Sequence, residues 1–274
     1  GGAGIVASNI ADCLKDRGYE VSVFTANEKH FIPERWRSYL SLYNPKVIGD
    51  FKKVLRDFKP DIVHFHNVHS HISYFTIVLA KKSGAKVFVT LHDAMSVYYG
   101  KVPIKDGDTK YKVTLFEMFK VFGLRVNPFR NIVIKYIFSY TDKIFTVSDA
   151  LREFLLINGI QNMVTIHNGI DIYNFKPYPD MVREYKNNLG IKENDKVLLF
   201  GGRLSNMKGA KLSIDSFIKV LEKMDNIKLL IVGNLPKKDS DLIKYAKGNG
   251  VFDKIIFTGW VDHKNMASIY HLSD

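Results

Sequence analysis

Short β-branched runs alternate with amphipathic helical segments almost from end to end of this chain, and that alternation restricts it to α/β folds with parallel sheets. Strands are expected at residues 20–25, 61–65, 86–91, 143–147, 163–166, 196–200, 227–232 and 254–258. Helical periodicity falls at 5–17, 46–58, 70–82, 149–158, 208–224, 240–247 and 264–271. The runs Val197-Leu198-Leu199-Phe200 and Leu229-Leu230-Ile231-Val232 are apolar on both faces, as strands covered by helices on either side must be.

The alternation lapses between 174 and 195, where Pro177, Pro179 and polar stretches such as Lys186-Asn187-Asn188 intervene. Two Rossmann-like, doubly wound domains in tandem are therefore expected, 1–172 and 173–274. Both ends read as cut short. Gly1-Gly2-Ala3-Gly4 leads straight into a helix, although a glycine turn of this kind normally follows a buried strand. Three strands are also few for the second domain.

Composition narrows the setting. The chain carries a net charge of +12, and its first 170 residues hold 23 Lys and Arg against 15 Asp and Glu. Such a bias suits an anionic partner, or simply a solvated surface. A nucleic-acid role would need a basic, aromatic-lined groove, and the charge is too diffuse to define one. The single cysteine, Cys13, excludes an intrachain disulfide, fits a cytoplasmic setting and sits in an apolar helical pattern that predicts burial. The longest apolar stretch, 113–138, is interrupted by Glu117, Lys120, Arg125, Pro128, Arg130 and Lys135, so it does not span a membrane. A pair of helices packed on a sheet with solvated lysines is the favoured reading; a segment lying on an anionic bilayer is the other.

The residues that could carry chemistry collect after strands, where parallel sheets bind their ligands. His64, His66, His69 and His71 follow one strand and His92-Asp93 another. No carboxylate or cysteine completes a metal set around them, so a substrate-facing cluster is preferred to a metal site. Gly201-Gly202-Arg203-Leu204 follows the first strand of the second domain, and Lys208-Gly209 opens the next helix. Two cations at a helix N-terminus beside a glycine turn suit a diphosphate. Gly1-Gly2-Ala3-Gly4 could likewise bring backbone N–H groups to an anion, but its spacing is not the GxGxxG of a dinucleotide site. Asp106-Gly107-Asp108 lies in a polar loop and reads as a turn rather than a metal-binding DxD.

In order and spacing these residues resemble the family 4 retaining glycosyltransferases, a GT-B group. The likeness runs from Gly1-Gly2-Ala3-Gly4 through Pro60-Asp61-Ile62-Val63-His64-Phe65-His66 and Thr90-Leu91-His92-Asp93 to His167-Asn168-Gly169-Ile170-Asp171 and Phe175. It continues through Gly202-Arg203-Leu204, Lys208-Gly209, Val232-Gly233 and Phe257-Thr258-Gly259. The resemblance implies transfer of a sugar, with retention and without metal or other cofactor, from a nucleotide-diphosphate sugar to a saccharide or lipid-linked saccharide. It places Gly2, Arg203 and Lys208 on the donor diphosphate, His92 beside the transferring sugar, and His64, His66 and His69 toward the acceptor. It also implies surface-polysaccharide synthesis; with the single cysteine and the aromatic, basic stretch 113–138, the expected setting is the cytoplasm, with peripheral contact at the inner face of the membrane. The family's paired glutamates would fall beyond Asp274, so residues 1–274 alone are expected to be inactive. Two alternatives remain open from the residues: a non-catalytic sugar-nucleotide-binding protein of the same fold, and a nicotinamide-dependent oxidoreductase.

Overall fold

The computed structural model describes residues 2–69, 71–101, 110–172, 175–202, 208–233 and 240–274. The chain divides into two compact units, Gly1–Gly169 and Ile170–Asp274. Each contains one parallel sheet, so the α/β class expected from the alternation is the one observed.

In the first unit the sheet has the order β1-β2-β3-β4, from strands Ile62–His66, Lys86–Leu91, Lys143–Thr146 and Met163–Thr165. Neighbours pair in register Val63 to Val87, Val89 to Ile144 and Ile144 to Met163. Helices α1 (Gly2–Asp16), α2 (Arg37–Leu40), α3 (Pro45–Phe58), α4 (Phe75–Lys82), α5 (Leu115–Phe122), α6 (Arg130–Phe138) and α7 (Asp149–Ile157) are distributed along this unit. The core joins Val87, Val89 and Ile144 of the sheet to Phe51, Ile77, Ile134, Ile137 and Phe154 of the helices. Local chemistry sets several helix starts. Asn44 accepts from the Lys46 N–H ahead of Pro45, Thr114 and Glu117 close a capping box at α5, and Ser148 accepts from the Leu151 N–H at α7.

In the second unit the order is β5-β6-β7, from Lys196–Gly201, Ile227–Val232 and Ile255–Gly259. Helices α8 (Pro179–Asn188), α9 (Ala210–Leu221), α10 (Asp241–Gly248) and α11 (Met266–Tyr270) accompany it. The sheet is apolar on both faces. One cluster joins Leu229 and Ile231 to Ile214, Phe217 and Ala246, and another joins Val197, Leu230 and Val232 to Ile191 and Ile269. The run at 229–232 that alternates between these two clusters is the one the sequence marked as doubly covered.

Four expectations are corrected. Residues 20–25 make no ladder among the described residues, although Phe24 packs edge-on against Phe51. Segment 174–195 contains a helix, α8, whose Pro179 occupies the first turn, where a missing N–H is harmless. Its strongly polar composition hid it. Gly2–Gly4 belong to the first turn of α1 and do not form a turn ahead of it. Cys13 is exposed, because α1 buries only Ala11 and leaves Ile5 and Leu14 exposed as well.

Candidate functional site

Period-two geometry places His64 and His66 on one face of β1, while Phe65 between them is buried. Parallel pairing with β2 sets Thr90 opposite His66. His64 Nε2 lies 2.8 Å from Thr90 Oγ1, and the His64 and His66 rings are 4.4 Å apart. One step beyond β2, the His92 ring turns back, so that its Nε2 lies 2.9 Å from His66 Nδ1. The structure thus brings His64, His66 and His92 into one imidazole cluster at the carboxyl ends of two adjacent strands.

All three imidazoles are held neutral. Burial, followed by the nearby His92, lowers His64 to about 4; burial, followed by His64 and His92, lowers His66 to about 3. Burial alone lowers His92. In the neutral His66–His92 pair one ring nitrogen donates and the other accepts, so the tautomer of one ring fixes that of the other. The remaining nitrogen of His92 is then set as either donor or acceptor, which suits recognition of a hydroxyl.

His69 stands apart from this cluster. It is almost fully buried, with Nε2 at 3.7 Å from Asp93 Oδ2. Burial and then the charges of Arg130, Lys101, Arg37 and His71 depress it to about 3.

Two supporting residues escaped the sequence reading. Asn67 takes a left-handed conformation (φ +48°), accepts the His92 backbone N–H through Oδ1 at 3.3 Å and donates to Asp93 Oδ2 at 3.4 Å. Asparagine directly after a strand was the available cue, since it tolerates that conformation. Arg130, which the sequence marks only as a charged break in an apolar stretch, is buried. It donates to the Met95 carbonyl and lies over the rings of Tyr99 and Tyr74. Burial raises the Asp93 carboxyl, against the Met95 N–H and the charges of Lys101 and Arg130, which lower it.

The strand ends of the second unit are built from backbone. The Gly202 N–H donates to the Val232 carbonyl at 3.2 Å, and the Gly233 N–H to the Gly259 carbonyl at 3.1 Å. Gly233 has φ +139°, and a Cβ there would meet the Gly202 oxygen at 2.9 Å, so both conformation and space demand glycine. Gly209, with φ +78°, caps α9, and Lys208 just before it is exposed. Arg203, Gly1, Asp106 and Asp108 lie outside the described residues. Gly2 opens α1, and its position has open space around it.

A surface concavity of about 550 Å³, lined by Leu55, Lys59, Pro60, Asp61 and Lys86 among others, opens at the amino ends of β1 and β2. That is the end opposite the histidines, and parallel sheets present their ligand sites at carboxyl ends. Among the described residues, no group of three His, Cys, Asp or Glu side chains is arranged to hold a metal ion.

Two parallel α/β units in tandem, each gathering its polar groups or glycines at carboxyl strand ends, have the architecture of GT-B proteins. Residues 1–173 match the description Glycosyltransferase Family 4, and residues 181–274 match Glycosyl transferases group 1. The chain belongs to this family of glycosyltransferases. An uncharacterised glycosyltransferase of Methanocaldococcus jannaschii is 29% identical over 150 residues, 52% of this chain and 37% of that protein. The N-acetyl-alpha-D-glucosaminyl L-malate synthase of Bacillus anthracis is 23% identical, covering 100% of this chain and 68% of its own length. The alpha-monoglucosyldiacylglycerol synthase of Streptococcus pneumoniae is also 23% identical, covering 95% and 58%. The chain therefore spans from 37% to 68% of the length of these relatives. Among solved structures, sucrose-phosphate synthase of Thermosynechococcus elongatus matches with a TM-score of 0.66 at 17% identity, covering 100% of this chain and 68% of that one. Anabaena HepE in complex with UDP and glucose matches with a TM-score of 0.59 at 16% identity, covering 100% and 69%. At such identities the likeness is one of fold alone.

Proposed function

We propose that the protein transfers a sugar from a nucleotide-diphosphate sugar to a saccharide or lipid-linked saccharide, with retention of configuration, in the synthesis of a surface polysaccharide. The observation that carries this reading is the neutral His64–His66–His92 cluster at the carboxyl ends of β1 and β2, in a chain that matches both family descriptions in tandem. Support for the donor comes from HepE, solved with UDP and glucose, and support for a glycosyl acceptor reaction from the two named synthases. The reaction takes place in the cytoplasm, with peripheral contact at the inner face of the membrane.

In this reading Arg203 and Lys208 offset the charge that develops on the leaving diphosphate, with the N-terminus of α9 and the backbone near Gly2 beside it. His92 contacts the transferring sugar and His64 and His66 form the acceptor side, while the buried His69 acts there only through Asp93. The domains act as 1–172 for the acceptor and 173–274 for the donor.

The test is a donor screen on the protein expressed from its complete reading frame. Charge-assisted contacts to a diphosphate contribute ~1.5–3 kcal/mol each, so Arg203→Ala and Lys208→Ala should each lower kcat/KM at least about tenfold. A loss below about twofold for both variants rejects the diphosphate assignment, since one such contact is worth more than that. Turnover should also survive EDTA; abolition by chelator with recovery on adding Mn²⁺ or Mg²⁺ rejects the metal-free reading.

A further inference from the structure

The core-facing side of α5 and α6 is already filled. Met118 on α5 and Ile134, Ile137 and Phe138 on α6 are buried. A helix at a water-facing surface ordinarily turns a polar stripe outward. These two do not. Phe116 and Phe119, three residues apart, point outward from α5, and Phe116 is 78% exposed. Phe129, Ile132 and Tyr136, spaced by three and four, form a second outward stripe along α6. Between the helices lies the turn Gly123–Arg125, whose Leu124 is 96% exposed.

The charge around this surplus apolar face is one-sided. Between residues 110 and 140 the exposed basic residues are Lys110, Lys112, Lys120, Arg125 and Lys135, with Lys110 paired to Glu153 at 2.9 Å, and the one acid is Glu117. That acid is engaged, accepting from the Thr114 backbone at 3.1 Å and from its hydroxyl at 3.0 Å. Lys112, Lys120, Arg125 and Lys135 are exposed, and Arg125 also reaches Glu34 at 3.3 Å.

We propose that the outward faces of α5 and α6, with the Leu124 turn between them, seat the protein on an anionic lipid surface. Leucine and phenylalanine enter the acyl boundary, while the lysine stems lie along it and keep their ammonium groups among the lipid phosphates. Tyr136 and Tyr140, with hydroxyls 3.0 Å apart, have the apolar body and polar tip that favour the interfacial layer. No helix among the described residues is long and apolar enough to cross a membrane, so the contact lies in the plane of the interface. Two other occupants fit less well. A second copy of the chain would bring like charges together, and the nearly fully exposed Leu124 offers no groove for a protein's anchor residues. The proposal supplies the surface for the peripheral contact of the functional reading, but it rests on these side chains alone and is tested without any sugar transfer.

The experiment is flotation of the purified protein with phosphatidylcholine vesicles, with and without phosphatidylglycerol. Binding should require phosphatidylglycerol and weaken as salt is added. Leu124→Glu with Phe116→Ser, and separately Lys120→Glu with Lys135→Glu, should each reduce partitioning at least about tenfold, given what each basic residue contributes near such a surface. Because all four positions are exposed, the melting temperature should be unchanged. A Leu124→Trp variant should show blue-shifted emission on the anionic vesicles. Failure to float with phosphatidylglycerol, equal binding to both vesicles, or binding that survives both double variants overturns the proposal. So does a concentration-dependent dimer that Leu124→Glu dissociates, which would make the face an interface between copies.

Discussion

The two sheets end in opposite materials. At the carboxyl ends of β1 and β2 the first unit presents side chains: three neutral imidazoles, Asn67 and the buried Asp93 with its neighbours. At the corresponding ends of β5, β6 and β7 the described residues of the second unit form a backbone strap at Gly202, Gly233 and Gly259. In the proposed reaction the two ends would recognise their ligands by different means. Side chains discriminate among hydroxyl patterns, whereas a glycine backbone lets a highly charged group come close to the proposed cations. The difference also decides how each end can be broken. The first should yield to pH, the second to the addition of a single carbon.

The largest expected effect is acid sensitivity of the first unit. His64 is depressed to about 4, and His66 and His69 to about 3, from an ordinary value near 6.5. The unfolded chain therefore takes up protons before the folded one does. The stabilisation is complete above pH 6.5 and falls as the pH drops toward 4 and then 3. Each unit of depression corresponds to ~1.4 kcal/mol, although coupling within the pair makes the sum smaller than its parts. Thermal melts from pH 7 to 5 should show the loss already under way where carboxylates are still ionised. A melting temperature flat over that interval would mean that these imidazoles are solvated and the comparison false.

Next comes Gly233→Ala. Its Cβ would lie 2.9 Å from the Gly202 carbonyl oxygen, at a φ of +139° that side chains rarely adopt. Strain of this kind costs about 1–3 kcal/mol, so the melting temperature should fall by several degrees. Gly4→Ala in α1 is the matched control. A Cβ there meets nothing within 4 Å, and alanine is the better helix former by roughly 0.5–1 kcal/mol. The pair should move stability in opposite directions. If Gly233→Ala were as harmless as Gly4→Ala, the strand ends of the second unit would not be the close-fitting rim described.

Much of this was legible in the sequence because it is periodic. β2 and β6 fall at the expected boundaries, and the other five observed strands differ from expectation by no more than one residue at either end, where ladders fray. The histidines at strand ends could be read for the same reason, since alternation and parallel pairing fix the side on which His64 and His66 emerge. What stayed hidden depends on contacts distant in sequence. Nothing local distinguishes buried Arg130 from exposed Arg125, because the shelter of Arg130 comes from Tyr74 and Tyr99. Helix α8 was missed because none of its residues is buried, so the apolar stripe that reveals a helix is weak. The close approach of Gly233 to Gly202 joins two loops that no sequence window contains.

The smallest effect on stability, and the sharpest test of the side-chain end, belongs to the His66–His92 pair. A single neutral hydrogen bond contributes ~1 kcal/mol net, so His92→Ala should move the melting temperature by only a few degrees. Its effect on turnover should be far larger if the imidazole meets the sugar, because a misplaced contact at the reacting centre commonly costs ~10²-fold. His66 separates positioning from structure. His66→Gln keeps a group that can bond to His92 Nε2, whereas His66→Ala leaves that nitrogen without its partner at 2.9 Å. Turnover should therefore fall in the order wild type, His66→Gln, His66→Ala, His92→Ala, while the four melting temperatures stay close together. Should melting collapse in His92→Ala while activity per folded molecule persists, the imidazoles are core packing, and the first unit recognises its ligand by other means.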